Sequence, residues 1–168
     1  MTPDQIGFIH KIAPAAVESE RTTGILASVT IAQAILESGW GKTKLASAYS
    51  NFFGIKASQL KIAAHQYVEF NTQEEEAHTL ETLKDKFATY SSFFDCFQDH
   101  ARLLQTPHYA AAMAVKDDLD KFCYMLGPKS ASYPDACGYS TLTAYHDRLT
   151  ELINLYGLRD YTAKEPTQ

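Results

Sequence analysis

Between Arg21 and Glu37 the chain runs for fifteen residues without a charge, and no other stretch limits the fold as much. A membrane-spanning helix takes about 20 apolar residues, so this run is too short to cross a bilayer. It is the length of a core helix instead. Ile25, Val29, Ala32 and Leu36 recur at helical spacing, and Ile31 and Ile35 thicken the same buried stripe. Gly39 and Gly41 are helix stoppers, which leaves Glu37 in the last turn beside Trp40, the only tryptophan. A carboxylate there faces the negative end of the helix dipole and a partly apolar wall, and both raise its proton affinity. A general acid working near neutral pH needs that tuning. Trp40 offers a flat apolar face of the kind that packs against sugar rings. The plainer alternative is an exposed helix-end glutamate with Trp40 in the core. These residues alone leave both readings open.

The remaining patterns build a mostly helical body. A first helix is predicted after Thr2-Pro3, with Ile6, Ile9 and Ile12 on one face. A second spans Ile25 to Ser38, a short one Lys42 to Tyr49, and Asn51 to Lys56 reads as a turn. From Ser58 to Tyr90 the character changes. Gln66 to Thr72 alternates apolar and polar residues, the period of a strand, and Lys86 to Tyr90 is a second extended piece that pairs with it. The acidic stretch Glu74 to Asp85 is expected as the long connection of that hairpin. Helices return at Phe93 to Leu104 with a serine cap, Tyr109 to Val115, Leu119 to Leu126, and Thr141 to Tyr156. The tail from residue 163 is expected to fray. The predicted class is α+β, predominantly helical, with a small β-hairpin lobe at about 58–90, in a single domain over residues 1–168.

Charge and cysteines exclude several functions. Net charge is −5 with lysines and arginines scattered, so there is no nucleic-acid footprint and no general attraction to an anionic membrane or wall. The three cysteines, Cys96, Cys123 and Cys137, form no CxxC pair, and six dispersed histidines give no zinc spacing. Free buried thiols are the favoured state, with a Cys123–Cys137 disulfide as the alternative. Cys96 sits in a Phe-rich helix and suits a buried thiol better than a nucleophile. No metal and no cofactor are expected. The polar, acidic start Met1 to Gln5 carries no signal-peptide pattern.

A helical body with one glutamate at a helix end and a β-lobe across a cleft suggests lysozyme-like glycoside hydrolysis. That chemistry needs a proton donor for the leaving oxygen and a stabiliser for an oxocarbenium-like centre.

Four stretches carry a resemblance. Ser28 to Gly41, with Ala32-Gln33-Ala34-Ile35-Leu36-Glu37-Ser38-Gly39-Trp40-Gly41 at its heart, is similar nearly throughout to the helix motif of the N-acetylglucosaminidase domains of glycoside hydrolase family 73. Asn51-Phe52-Phe53-Gly54-Ile55-Lys56 resembles that family's Asn-Leu-Phe-Gly-Ile-Lys, with Phe52 in place of leucine. Lys86 to Ser92 is similar to its Lys-Phe-Arg-Val-Tyr-Ser-Ser stretch. Gly138-Tyr139-Ser140-Thr141 followed by Tyr145 resembles its Tyr-Ala-Thr-x-x-x-Tyr motif. The tryptophan-bearing segment of many relatives is missing between these motifs.

The resemblance covers roughly residues 5 to 158 and implies Glu37 as general acid on peptidoglycan glycan strands. It implies a second carboxylate in the hairpin lobe, where Thr72-Gln73-Glu74 stands in the family's place. Glu74 is therefore the second catalytic candidate, with Glu69, Glu75 and Glu76 as rivals. Tyr139 matches the tyrosine that positions the sugar. Trp40, Asn51 and Tyr145 complete the candidate substrate-binding set, each with a structural alternative of core packing or turn capping. The implied activity is endo-β-N-acetylglucosaminidase, by a monomer with no nucleic-acid or membrane partner. The alternatives are a muramidase or lytic transglycosylase on the same fold, or a catalytically silent glycan-binding or virion module. Such an enzyme acts on the wall after delivery by phage lysis, by a secretion system or within a longer protein.

Overall fold

The computed structural model describes residues 1–76, 79–129 and 134–163, and over 71–83 the backbone alone. Helix α1 spans Pro3–Thr23 and opens on a capping box. The Thr2 side chain accepts from the Gln5 amide while the Gln5 side chain reaches back to the Thr2 amide. Gly24, at φ 71°, ends α1 in the left-handed conformation that glycine adopts without steric cost.

The uncharged run becomes α2, Ala27–Ser38. Its burial exceeds the expected stripe: every residue from Ala27 to Ile35 is buried, as is Ser38. A helix covered on all sides tolerates no charge, which accounts for the composition of the run. α1, the last helix of the chain (Tyr145–Leu155) and the 3-10 turn that follows it pack against α2.

Two short helices follow, α3 (Lys44–Tyr49), capped by Thr43, and α4 (Gln59–Ala63), capped by Ser58. Strands β1 (Tyr67–Glu76) and β2 (Thr79–Ala88) form one antiparallel hairpin in the register Tyr67↔Ala88 to Glu76↔Thr79. The stretch from Glu74 to Asp85, expected as a long connection, is mostly strand, and the pairing continues to Glu76↔Thr79. Near its base the hairpin is tied by Lys56–Asp85 at 3.1 Å and by Lys86–Glu69 at 3.9 Å.

The chain then returns to the body through α5 (Phe93–Leu104), a 3-10 turn at Pro107–Tyr109, α6 (Ala110–Met113) and α7 (Leu119–Met125). Helix α8 covers Tyr145–Leu155, four residues later than the predicted start, and Leu158–Asp160 forms a final 3-10 turn. The core joins Ile9 and Ile12 of α1, Ile31 and Ile35 of α2, Phe97 of α5, Phe122 of α7, and Leu149 and Ile153 of α8. Cys96, Cys123 and Cys137 are buried and free, so the alternative disulfide is not formed. The tail beyond residue 163 lies outside the described residues.

Candidate active site

Glu37 is the penultimate residue of α2 and the only carboxylate of that helix. It lines a cleft of about 310 Å³ whose other walls are Thr43, Lys44 and Leu45, Asn51 and Gly54, and Phe70 and Phe87 of the hairpin. Phe70 and Phe87 meet edge to face at 6.1 Å, and Tyr49 backs Phe70 at 6.2 Å. The cleft is therefore an acid above an aromatic floor supplied by the β-lobe.

Burial is the larger influence on Glu37 and raises its pKa, and a hydrogen bond from Tyr145 partly offsets this by favouring the charged form. Tyr145 is fully buried at the start of α8. Its hydroxyl donates to Glu37 Oε1 at 2.9 Å and accepts from Gln33 Nε2 at 3.0 Å. Gln33, one turn before Glu37, is also fully buried. Tyr145 thus reaches the acid as a buried support and not as an exposed platform.

The other sequence-predicted residues fall in different places. Tyr139 stacks on Tyr145 at 6.0 Å, meets His100 edge-on at 5.7 Å and leans on Tyr109 at 6.1 Å. Its hydroxyl is buried with no partner among the described residues. Burial first, then the Glu37 charge, pushes its pKa well above the ordinary phenol range. Asn51 is 1 % exposed and fully engaged. Its Nδ2 donates to the Ile55 and Ala88 carbonyls at 3.0 and 2.9 Å, and its Oδ1 accepts from the Ile55 amide at 3.0 Å. It locks the 51–55 turn onto the end of β2, which leaves its amide no hydrogen free for a glycan.

Trp40 is turned away from this cleft. Gly39, Trp40 and Gly41 follow one another in the left-handed region, at φ 54°, 63° and 73°. For a bulky residue that is a rare conformation. Ser38 braces the corner, its Oγ donating to the Ala34 carbonyl and accepting from the Gly41 amide at 2.8 Å. The indole packs edge-on to Tyr156 at 4.9 Å and to Phe8 at 6.0 Å, and lines a separate depression with Phe52 and Phe93. A Cβ at Gly41 would come 2.5 Å from the Phe8 ring, so the corner admits only glycine there.

Glu74 stands in β1 opposite Glu81, and its side chain lies outside the described residues, as do those of Glu75 and Glu76. The rival Glu69 pairs with Lys86. Sequence reasoning missed Gln33, Phe70 and Phe87 as site residues. Gln33 is the only amide in the uncharged run and lies four residues before Glu37, which was a usable signal.

A mostly helical body, a two-stranded lobe and a single half-buried glutamate at their junction describe a lysozyme-like glycosidase domain. The glucosaminidase family model, described as mannosyl-glycoprotein endo-beta-N-acetylglucosaminidase, matches residues 13–158, and the chain belongs to that family. It is 33% identical over 143 residues to the exo-glucosaminidase LytG of Bacillus subtilis, covering 85% of this chain and 48% of that protein. It is 40% identical over 163 residues to a probable N-acetylmuramidase of Lactococcus lactis, covering 90% of this chain and 33% of that protein. The catalytic domain of the autolysin Auto from Listeria monocytogenes superposes with a TM-score of 0.73 at 27% identity, over 96% of this chain and 89% of that domain. The chain thus spans less than half the length of these curated relatives.

Proposed function

We propose that this chain is a peptidoglycan hydrolase cleaving the glycan strand as an endo-β-N-acetylglucosaminidase, with Glu37 as general acid. The observation that carries the reading is the Glu37 carboxyl itself. Burial raises its proton affinity, Tyr145 holds Oε1, and Oε2 makes no hydrogen bond among the described residues, in a residue that lines an apolar cleft. Departure of a sugar alkoxide is unfavourable without a proton, and a carboxyl whose proton affinity is raised by burial is suited to supply it. Phe70 and Phe87 offer apolar faces against which sugar rings pack. The names of LytG and Auto, a glucosaminidase and an autolysin, accord with a wall glycan as substrate.

Glu74 acts as the second carboxylate, activating water or steadying the oxocarbenium-like centre, unless the substrate's acetamido group does so. Supporting Glu74 over Glu69 and Glu75 is its parity along β1: it lies four residues from Phe70, which lines the cleft, and the other two have the opposite parity. The enzyme works as a monomer on the wall, outside the compartment where it is made.

Purified peptidoglycan tests this. The parent protein releases fragments with new reducing ends on N-acetylglucosamine, and Glu37→Gln lowers the rate by about 10²-fold or more, the usual worth of a positioned acid. Glu74→Gln lowers it by a smaller factor. Unchanged lysis by Glu37→Gln overturns the assignment of the acid. Unchanged lysis by Glu74→Gln moves the second role to another lobe carboxylate or to the acetamido group. The muramidase reading is favoured by the name of the Lactococcus relative, a probable N-acetylmuramidase. New reducing ends on N-acetylmuramic acid would establish it.

A further inference from the structure

One phenol oxygen touches two residues of α2. Tyr145 Oη lies 2.9 Å from Glu37 Oε1 and 3.0 Å from Gln33 Nε2. Glu37 and Gln33 are one helical turn apart, so both side chains present to the same partner. Tyr145 and Gln33 are each 0 % exposed, which keeps bulk water from exchanging for either bond.

A phenol has one hydrogen to give and lone pairs to receive. An ionised Glu37 only accepts, so the phenol's hydrogen points at Oε1, and the hydrogen filling the phenol's lone pair is the Gln33 amide's. Were the amide reversed, with its oxygen toward Tyr145, the phenol would donate to Gln33. Glu37 would then face only a lone pair, and its acidic hydrogen would be drawn to the phenol. The orientation of Gln33 thus decides which carboxyl oxygen carries the proton.

We propose that Gln33 is a positioning residue for the reaction: by donating to Tyr145 it directs the phenol hydrogen onto Glu37 Oε1, and so reserves Oε2 for the transferable proton. The proposal rests on Glu37 being the acid. It asks of Gln33 no contact with substrate. Other groups facing Glu37 are Lys44 of α3, which lines the cleft, and Tyr139, whose buried phenol senses the Glu37 charge. The hairpin contributes the uncharged rings of Phe70 and Phe87.

The test uses the full chain with carboxyl carbons labelled in glutamate, and the Glu37 resonance assigned by its loss in Glu37→Gln. Its titration is followed by ¹³C NMR in the parent, Gln33→Met, Tyr145→Phe and the double variant. Tyr145→Phe moves the Glu37 titration upward, because a bond favouring the ionised form is lost. Gln33→Met moves it upward by less, and adds nothing in the Tyr145→Phe background. The high-pH limb of kcat/KM on peptidoglycan moves in the same direction in each single variant. An unmoved titration in Gln33→Met, or an equal shift with and without the Tyr145 hydroxyl, overturns the proposal, since a purely structural glutamine would behave in one of those ways. Neutron diffraction of the deuterated parent needs no variant to fold. Deuterium bonded to Tyr145 Oη and directed at Glu37 Oε1 supports the proposal, and deuterium directed from Tyr145 to Gln33 refutes it. Titration and diffraction read Glu37 without turnover, whereas active Glu37→Gln would sink the catalytic reading alone.

Discussion

At the scale of the residue, Glu37 shows how a site group weakens the fold that holds it. Burial raises its folded pKa, so the unfolded chain releases the proton at lower pH than the folded one. Stability therefore falls as pH rises from the ordinary glutamate pKa, about 4.3, to the folded pKa, and stays reduced above it. Glu37→Gln removes that loss while its amide oxygen can still accept from Tyr145. The variant is expected to unfold at a higher temperature than the parent at pH 7, at about 2–4 °C per kcal/mol gained for a chain of this size. The gain shrinks to nothing as pH drops below about 4, and thermal unfolding across that range checks it. A gain that persists at low pH would assign the effect to packing.

At the scale of the element, Asn51 joins the α-body to the β-lobe. One of its three hydrogen bonds is buried and two are partly buried, and the Ile55 carbonyl also accepts from the Ala88 amide at 2.9 Å. Asn51→Ala removes the acceptor of the Ile55 amide and one donor each from the Ile55 and Ala88 carbonyls, at a cost of about 1–3 kcal/mol, or roughly 2–12 °C in Tm. Hydrogen exchange at the Ile55 amide, which loses its acceptor, should accelerate by more than that of α2. Equal acceleration everywhere would show that Asn51 serves overall stability and not this junction. The same boundary marks where the sequence stopped being legible. Helices with an apolar face, such as Phe93–Leu104, announce themselves because burial selects every third or fourth residue. Gln66 to Thr72 alternates for the same reason. Beyond it, Gln73 to Glu81 carries no apolar alternation, since backbone pairing with the opposite strand alone can hold a strand. Helix α4 is short and has no buried residue, so no pattern was available to find it. Glu37 was readable from its neighbours in sequence, whereas Tyr145 reached it across 108 positions. That distance is why the sequence offered Tyr145 both as a substrate contact and as core packing, without its bond to Glu37.

At the scale of the whole molecule, the aromatic core encloses an imidazole. His100 of α5 is 1 % exposed, stacks on Phe53 at 3.9 Å, and its ring nitrogens have no partner among the described residues. Burial lowers its pKa to about 3. Unfolded histidine takes a proton near 6.5, so stability is full above that pH and is lost as pH falls toward the folded value. The limiting slope is about 1.4 kcal/mol per pH unit. Between pH 6.5 and 5 the parent should therefore lose up to about 2 kcal/mol more than His100→Phe, measured by denaturant unfolding. Parallel curves would place the acid sensitivity elsewhere. The left-handed corner at residues 39–41 has a consequence of another kind. It sends the single indole of the chain to pack on Tyr156 and Phe8, in a depression that shares no lining residue with the Glu37 cleft. Tryptophan fluorescence, excited beyond the absorption of the tyrosines, is thus an optical gauge of how α1 and the end of α8 seat around the corner that closes α2.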